Sequence, residues 1–503
     1  MTSHIPEVSQ SFWIDSTLES QYPPLTQDIS VDVAIVGAGL VGVVVAKLLK
    51  QAGKTVAVLE ADQVATGVSG HTTAKVTSLH QLIYADLLKN IGQEKARLYG
   101  ESNQAAIEKL ANLVKSEQID CDFERKNTFS FARFIENLDQ VKAEVEAAVQ
   151  LGLPASFVQE IGLPFEIAGA VKFENQAQFH PRKFILNLAA KIQGEGSFVF
   201  EQTRVQKVTG EQPCRVTVAN GCTVTAGDVI VATNAPILDQ GLFFAKAYAK
   251  RSYLIGAWID PAQDPQGMFI GVGKDYHSIR TAPHQDKTLL LIGGGGHKVG
   301  GISNTEEKFE KLAQYAQTYF GVEEVAYRWS TQDLVSFDQL PYIGKLTPMS
   351  NHTYVATGFS LWGMSKSIMA AMLLSDLILG IENPWADLYD ATRPTPFISK
   401  ESLKQNLDVG VHWVGDRLKG ITESADQIGM GEGKVIMAKG KQIAASRDDQ
   451  GVLHQVSAVC SHLGCIVAWN NAEKSWDCPC HGARFAPQGQ VLHAPATQNL
   501  EPI

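Results

Sequence analysis

Near the C-terminal end of the chain, two short stretches carry the residue types that bind metals. The first runs Cys460-Ser461-His462-Leu463-Gly464-Cys465 and the second Cys478-Pro479-Cys480-His481-Gly482. Each offers one cysteine and one histidine with a further cysteine to spare, and fifteen residues separate His462 from Cys478. Thiolates suit a ferric iron that stays oxidised, whereas neutral imidazoles leave an iron less negatively surrounded and easier to reduce. The competing use of the same four residues is a structural zinc site. Zinc modules usually pair Cys-x2-4-Cys with His-x3-5-His, while each stretch here mixes one Cys with one His and sets a glycine close behind.

The arrangement resembles a Rieske [2Fe-2S] centre, in which Cys460 and Cys478 would hold one iron and His462 and His481 the other. Resemblance to the respiratory and photosynthetic Rieske proteins also implies a disulfide between Cys465 and Cys480. Two positions depart from that pattern. High-potential members place a serine two residues and a tyrosine four residues after the second histidine, and these hydroxyls donate to sulfur and stabilise the reduced cluster. Here Ala483 and Phe485 stand in those places. The potential is therefore expected toward the lower part of a span of about −150 to +300 mV.

A second set of residues lies near the other end. Val31 to Val36 reads as a buried parallel strand, Gly37-Ala38-Gly39-Leu40-Val41-Gly42 opens a helix to about Ala52, and a strand from Thr55 to Leu59 ends at Glu60. This is a dinucleotide fingerprint in its full setting. Gly37 permits the tight turn, Gly39 lets backbone approach a pyrophosphate, and Gly42 lets helix pack on strand. The N-terminus of the helix, at Leu40, attracts the anion, and Glu60 is placed for a ribose hydroxyl. A glycine-rich turn without a ligand is the plain alternative.

The choice between FAD and NAD turns on the next stretch. Gly67-Val68-Ser69-Gly70-His71-Thr72-Thr73-Ala74-Lys75 resembles the segment that wraps the flavin in FAD enzymes of the D-amino acid oxidase and glycine oxidase class. That resemblance implies FAD, with Ser69, Gly70, Thr72, Thr73 and Ala74 along its pyrophosphate and ring system. It also implies backbone contact from Val205 to the adenine and places Ala232 and Thr233 near the dinucleotide. Asp338 to Gly344, and then Asn351 through Gly358 to Gly363-Met364-Ser365, resemble the strand and glycine turn that close this FAD domain and enter a long helix. Amides of Gly363, Met364 and Ser365 would face the flavin pyrimidine edge and stabilise negative charge there.

Between these motifs the pattern is scaffold. Helical periodicity covers Leu82 to about Ile119 and Leu138 to Gln150. Phe198 to Val208 and Arg215 to Val224 alternate like strands of a small meander. Phe243 to about Val325 is expected to form the substrate-facing sheet. Gly293 to Gly296 fails the spacing of a second nucleotide loop and reads as a turn after a strand, which argues against an NADH-dependent reductase with two Rossmann domains. Arg280 is a weak candidate to hold a substrate carboxylate, a surface arginine being the preferred reading. His80, Tyr253 and His297 are weaker still.

The fold class expected is α/β, with an α+β substrate sheet: a Rossmann-type FAD domain of the D-amino acid oxidase class, then a small all-β Rieske domain. The expected division is a leader over 1–30, an oxidoreductase domain over 31–395, a linking helix within 396–425, and the Rieske domain over 426–503. FAD-binding parts would fall at about 31–80, 180–240 and 330–380, and the substrate-facing part at about 243–325. The 503 residues exceed one ordinary core. Hydrophobic content of 45%, charged content of 19% and a net charge of −10 without a basic run give no reason to expect nucleic acid or a lipid surface as partner. Leu361 to Leu379, interrupted by Lys366 and Asp376, reads as a buried helix rather than a membrane span. No secretory pattern opens the chain, and four of its seven cysteines sit in the metal stretches, so a cytoplasmic location is expected.

Together, the resemblances imply an enzyme that removes hydride from a small amine or amino-acid-like substrate. Electrons would then leave singly through the cluster to an external carrier such as a ferredoxin or quinone. The alternative is an electron-transfer module whose cluster feeds a flavin for a reductase or monooxygenase reaction. No substrate base stands out, and no paired-histidine and carboxylate motif suggests a mononuclear iron.

Overall fold

The computed structural model describes residues 5–300, 304–394, 425–438 and 440–503. The linking helix expected near Lys400 to Leu418 lies outside the described residues. An eight-stranded sheet organises the dinucleotide part, in the order Tyr342–Lys345, Thr353–Thr357, Thr223–Val231, Ile29–Val36, Val56–Leu59, Phe198–Phe200. Along this path all neighbours pair in parallel except the antiparallel edge Tyr342–Lys345, and the remaining two strands, Cys214–Val218 and Val205–Thr209, add antiparallel beside Thr223–Val231. Val33, Ala34 and Ile35 are fully buried because helices and the small hairpin cover both faces of a parallel sheet. The helix Leu40–Gln51 packs between the helices Gly363–Leu379 and Pro181–Ala190 and the sheet, which is why it reads as almost wholly apolar.

A nine-stranded sheet forms the second layer: Tyr327–Ser336, Ala247–Ile259, Lys287–Lys298, Ser278–His284, Met268–Gly271, Glu124–Ala132, Gly169–Gln178 and Lys75–Val76 in order, with Ala155–Val158 added beside Gly169–Gln178. Three expectations change here. The sheet expected to face the substrate is not confined to 243–325, since it takes strands from before and after that interval. Gly293 to Gly296 make no turn, because they continue the strand Lys287–Lys298 and pair with Ala247–Ile259. Phe198–Phe200 is no part of a meander, because its apolar side chains complete the parallel sheet beside Val56–Leu59. The hairpin is instead Val205–Thr209 with Cys214–Val218.

The leader is structural as well. Phe12 and Trp13 are buried, and Ser11 and Trp13 donate to the carbonyls of Gly70 and Thr72, so the N-terminal residues brace the flavin-like segment from behind. Residues 425–503 form two small antiparallel sheets, Gly433–Ala438 with Lys441–Arg447 and Leu453–Ser457, and Ala468–Asn470 with Ser475–Asp477, Arg484–Phe485 and Val491–His493. Among the described residues no helix is long and apolar enough to cross a membrane.

Candidate functional site

A cavity of about 310 Å³ runs between the two large sheets. Gly37, Gly39, Leu40, Glu60, Ser69, Thr72, Thr73, Val205, Ala232, Thr233, Gly363 and Met364 line it. Gly37 has φ +103°, and a Cβ there would stand 2.7 Å from the carbonyl oxygen of Ala232, so the turn needs glycine. The Leu40 amide, first of the helix, donates to Ser69 Oγ at 3.0 Å. Glu60 accepts from the amides of Ala38 at 2.7 Å and Asp62 at 3.1 Å, and burial raises its carboxyl above the ordinary range. Helix amides, a buried acid and glycine-lined backbone form a cradle suited to a dinucleotide.

The other residues expected at this site stand behind its wall. Gly42 packs helix on turn, and a Cβ there would come 1.9 Å from the Gly37 carbonyl oxygen. At Gly70 an added Cβ would meet the Ala65 carbonyl oxygen at 2.3 Å. Ala74 is buried, Gly344 sits on the edge strand, and Gly358 packs on the Tyr342 ring. Ser365 turns away from the cavity to bond His80 and Asn103, each at 3.0 Å.

Arg280 is neither on the surface nor available to a substrate. Only 1% of it is exposed, and its guanidinium donates to the carbonyls of Thr281 and Ala74 at 2.9 Å, Thr73 at 3.2 Å and Phe179 at 3.4 Å. Burial lowers it to about 9, and four carbonyl partners explain how a cation without a carboxylate tolerates the site. Arg280 thus clamps the segment that carries Thr72 and Thr73.

The C-terminal stretches form two loops with the same backbone pattern. Cys460 N donates to Cys465 O and Gly464 N to Cys460 O, while Cys478 N donates to Ala483 O and Gly482 N to Cys478 O. Gly464 and Gly482 share φ near +78°, a value that favours glycine. Cys465 and Cys480 are disulfide-bonded. The Cys478 sulfur lies within 4.8 Å of both disulfide sulfurs, leaving Cys460 and Cys478 as the free thiols of the loops.

Those two thiols are hydrogen-bonded to each other, which brings Cys460 down to about 7. The imidazoles of His462 and His481 lie 5.1 Å apart between ring centres. Both Nδ1 atoms are buried without a hydrogen-bond partner, and burial, with His462 second, holds His481 down to about 4. Two thiols and two orphaned imidazole nitrogens on paired loops are a donor set that fits a mixed-ligand iron-sulfur cluster.

The FAD dependent oxidoreductase family matches residues 32–377, and the Rieske [2Fe-2S] domain matches residues 421–503. The chain belongs to the FAD-dependent oxidoreductases and ends in a Rieske domain. YhfW of Bacillus subtilis, named as a Rieske 2Fe-2S iron-sulfur protein, is 35% identical over 502 residues, covering 99% of this chain and 98% of its own. Gamma-glutamylputrescine oxidoreductase of Escherichia coli is 26% identical, covering 76% of this chain and 90% of its own. Glycine oxidase of Geobacillus kaustophilus shares the fold, with a TM-score of 0.62 at 20% identity, covering 73% of this chain and 99% of that one.

In this flavoprotein the Rieske domain is built into the oxidoreductase. Asp477 is buried between Arg251, at 3.1 Å, and Arg484, also at 3.1 Å. Burial alone would push its carboxyl up, yet the two guanidinium groups hold it well below the usual carboxylate range. Such a group adds little net stability, but breaking it is expensive, so it fixes one docking geometry. Gln332 donates to the Gly482 carbonyl at 2.7 Å, while its neighbours Thr331 and Asp333 line the FAD cavity. Alternating side chains make the strand Tyr327–Ser336 a shared wall.

A second shared element comes from the Rieske side. Leu492, His493, Ala494, Ala496 and Thr497 line the FAD cavity, whereas Pro495 faces the small hollow beside His462 and His481. Asp239, from the oxidoreductase part, accepts from His462 Nε2 at 2.8 Å. Pro495 is where resemblance to the Rieske proline loop that covers the cluster puts it, but nothing in the spacing of the fingerprint or the cluster loops pointed to Asp239, Gln332 or the cavity-lining side of Leu492–Thr497, because their roles depend on how the domains meet.

Proposed function

We propose that the chain oxidises a small amine or amino-acid-like molecule and passes the electrons singly through its Rieske domain to an external one-electron carrier such as a ferredoxin or quinone. When bound, FAD supplies a two-electron hydride acceptor and the [2Fe-2S] cluster a one-electron relay. The observation that carries the coupling is the shared wall, in which Ala494 belongs to one cavity and Pro495 to the other. The names of the relatives, gamma-glutamylputrescine oxidoreductase and glycine oxidase, support a nitrogen-bearing substrate. Cys460 and Cys478 would hold one iron and His462 and His481 the other.

The chain's own residues do the positioning. Leu40 and its glycine turn would orient the pyrophosphate and Glu60 the ribose, while Gly363 and Met364 line the cavity at the start of the helix Gly363–Leu379, where their amides would face the flavin. Trp362, Ile270 and Leu254 add apolar surface to the same cavity, which would keep water from a bound substrate. The free thiols of Cys121, Cys214 and Cys222 suit a reducing compartment, which makes the cytoplasm the proposed location. Anaerobic titration with a panel of amines and amino acids tests the proposal: flavin bleaching followed by the EPR signal of a reduced cluster is expected. Bleaching by no candidate, with flavin reduction only from an external donor by way of the cluster, would sink it and favour the reverse direction of flow.

A further inference from the structure

The Rieske strand Val491–His493 leaves one large apolar side chain in the open. Alternation along the strand sends Val491 into the Rieske core, while Leu492 points the other way, 53% exposed, onto the wall of the FAD cavity. Single exposed leucines are ordinary on a free surface, but this one borders a cradle suited to a dinucleotide. Arg204 fixes its place there. The guanidinium donates to the Val491 carbonyl at 3.1 Å and lines the same cavity beside Val205. The carboxylates of Glu60 and Asp62 act on it electrostatically, so Arg204 stands at the Glu60 end. In a dinucleotide fold the acid that ends the second strand serves the ribose of the adenosine half. Leu492 therefore borders the adenosine end of the cavity.

Protein contacts hold the strand in that position. Val491 N donates to Asn499 Oδ1 at 3.0 Å and Leu500 N to the Gly489 carbonyl at 2.9 Å, which ties the strand to the turn that follows it. From the oxidoreductase side, Asn234 follows Thr233 of the cavity wall and sets its amide nitrogen 3.5 Å from His493 Nε2. None of these attachments uses a cluster ligand. We propose that Leu492 is a cofactor-binding residue, through which the Rieske domain clasps the adenosine half of FAD and retains the dinucleotide in the oxidoreductase domain. The stretch from Gly37 to Glu60 supplies the cradle, and the appended domain closes it. Coupling of this kind is reciprocal: FAD must favour the docked position of the strand by as much as the strand tightens FAD.

The clasp concerns binding alone and stands whichever way electrons run. Full-length protein stripped of flavin, with its cluster intact, is titrated with FAD and followed by flavin fluorescence. Leu492→Ser should weaken FAD by about 5- to 30-fold, the loss of most of one leucine's apolar contact, with the reduced-cluster EPR signal retained. Val452→Ser removes another apolar side chain of the same domain, 51% exposed and away from the cavity, and should leave the affinity unchanged. ADP, which carries the adenosine half without the flavin, should compete with FAD and lose the same factor in Leu492→Ser. Amide exchange needs no variant: Leu492 and His493 should exchange about 10-fold or more slowly once FAD is bound, and this measurement decides alone if Leu492→Ser loses its cluster. Wild-type affinity in Leu492→Ser, an equal loss in Val452→Ser, or exchange unaffected by FAD overturns the clasp. A loss for FAD that ADP does not share overturns the adenosine assignment.

Discussion

The two redox sites of this chain are built in opposite ways. All four candidate ligands of the Rieske site, and its disulfide, fall between Cys460 and His481 on two loops that repeat one hydrogen-bond pattern. The FAD cavity draws its walls from Val36 to Thr497, including residues of the Rieske domain itself. A locally built site lives or dies by a few neighbouring residues. A distributed one depends on the packing of whole sheets, and so couples to everything that packs on them.

The largest break in that comparison is Cys460→Ser. Without the thiolate the [2Fe-2S] cluster should be lost completely, seen as absence of the reduced-cluster EPR signal, while the flavin absorbance persists. If FAD leaves too, the local site is supporting the distributed one through Leu492–Thr497, and the contrast between them is weaker than the loop geometry suggests.

The converse change is Gly42→Ala. Its methyl would stand 1.9 Å from the Gly37 carbonyl oxygen, so the helix must shift away from the turn. Overpacking of that kind costs about 1–3 kcal/mol, which corresponds to FAD affinity lower by roughly 10- to 100-fold. Reconstitution of stripped protein, followed by flavin fluorescence, measures it. The cluster EPR signal should be unchanged, and its loss would show that the Rieske fold needs an occupied cavity beneath it.

The same contrast explains what could be read beforehand. Spacing and resemblance to the Rieske pattern singled out the Cys460, His462, Cys478 and His481 set, and strand-turn-helix periodicity singled out Gly37 to Glu60, because each lies within one local unit. Arg280 was misjudged because burial by Phe179 and Thr73 comes from segments about a hundred residues or more away in the chain. Gly293 to Gly296 looked like a turn because nothing local reveals that Ala247–Ile259 pairs with them. Lys75 stood in the quoted motif without a role, since the groups its Nζ bonds, the Phe269 carbonyl and Ser278 Oγ, come from a distant part of the chain.

Asp239 tests the seam between the two sites. Its carboxylate accepts from the outer nitrogen of His462, adding negative charge to the ligand and disfavouring a further electron on the iron. Asp239→Asn should therefore raise the cluster potential, read by dye-mediated EPR titration. Charge-assisted hydrogen bonds are roughly twice as strong as neutral ones, so the rise should exceed that from any neutral donor added nearby, even though Asp239 is half exposed and partly screened. An unchanged potential would mean that the contact only docks the domains.

The smallest effect is expected from Ala483→Ser, which alters the local site and nothing else. Ala483 is fully buried directly after the second histidine loop, and its carbonyl already accepts the Cys478 amide. A hydroxyl there can donate to sulfur, and the bond strengthens when the cluster gains an electron, so the potential must rise. A differential of about 1 kcal/mol corresponds to roughly 40 mV for a one-electron couple. Voltammetry of the holoenzyme measures it, and a lower or unchanged value would show that the missing hydroxyls are not what lowers this cluster. Because the substitution touches no residue of the shared wall, the flavin potential should stay where it is. Movement of both together would locate the coupling in the field between the cofactors rather than in Gln332, Ala494 and Asp239.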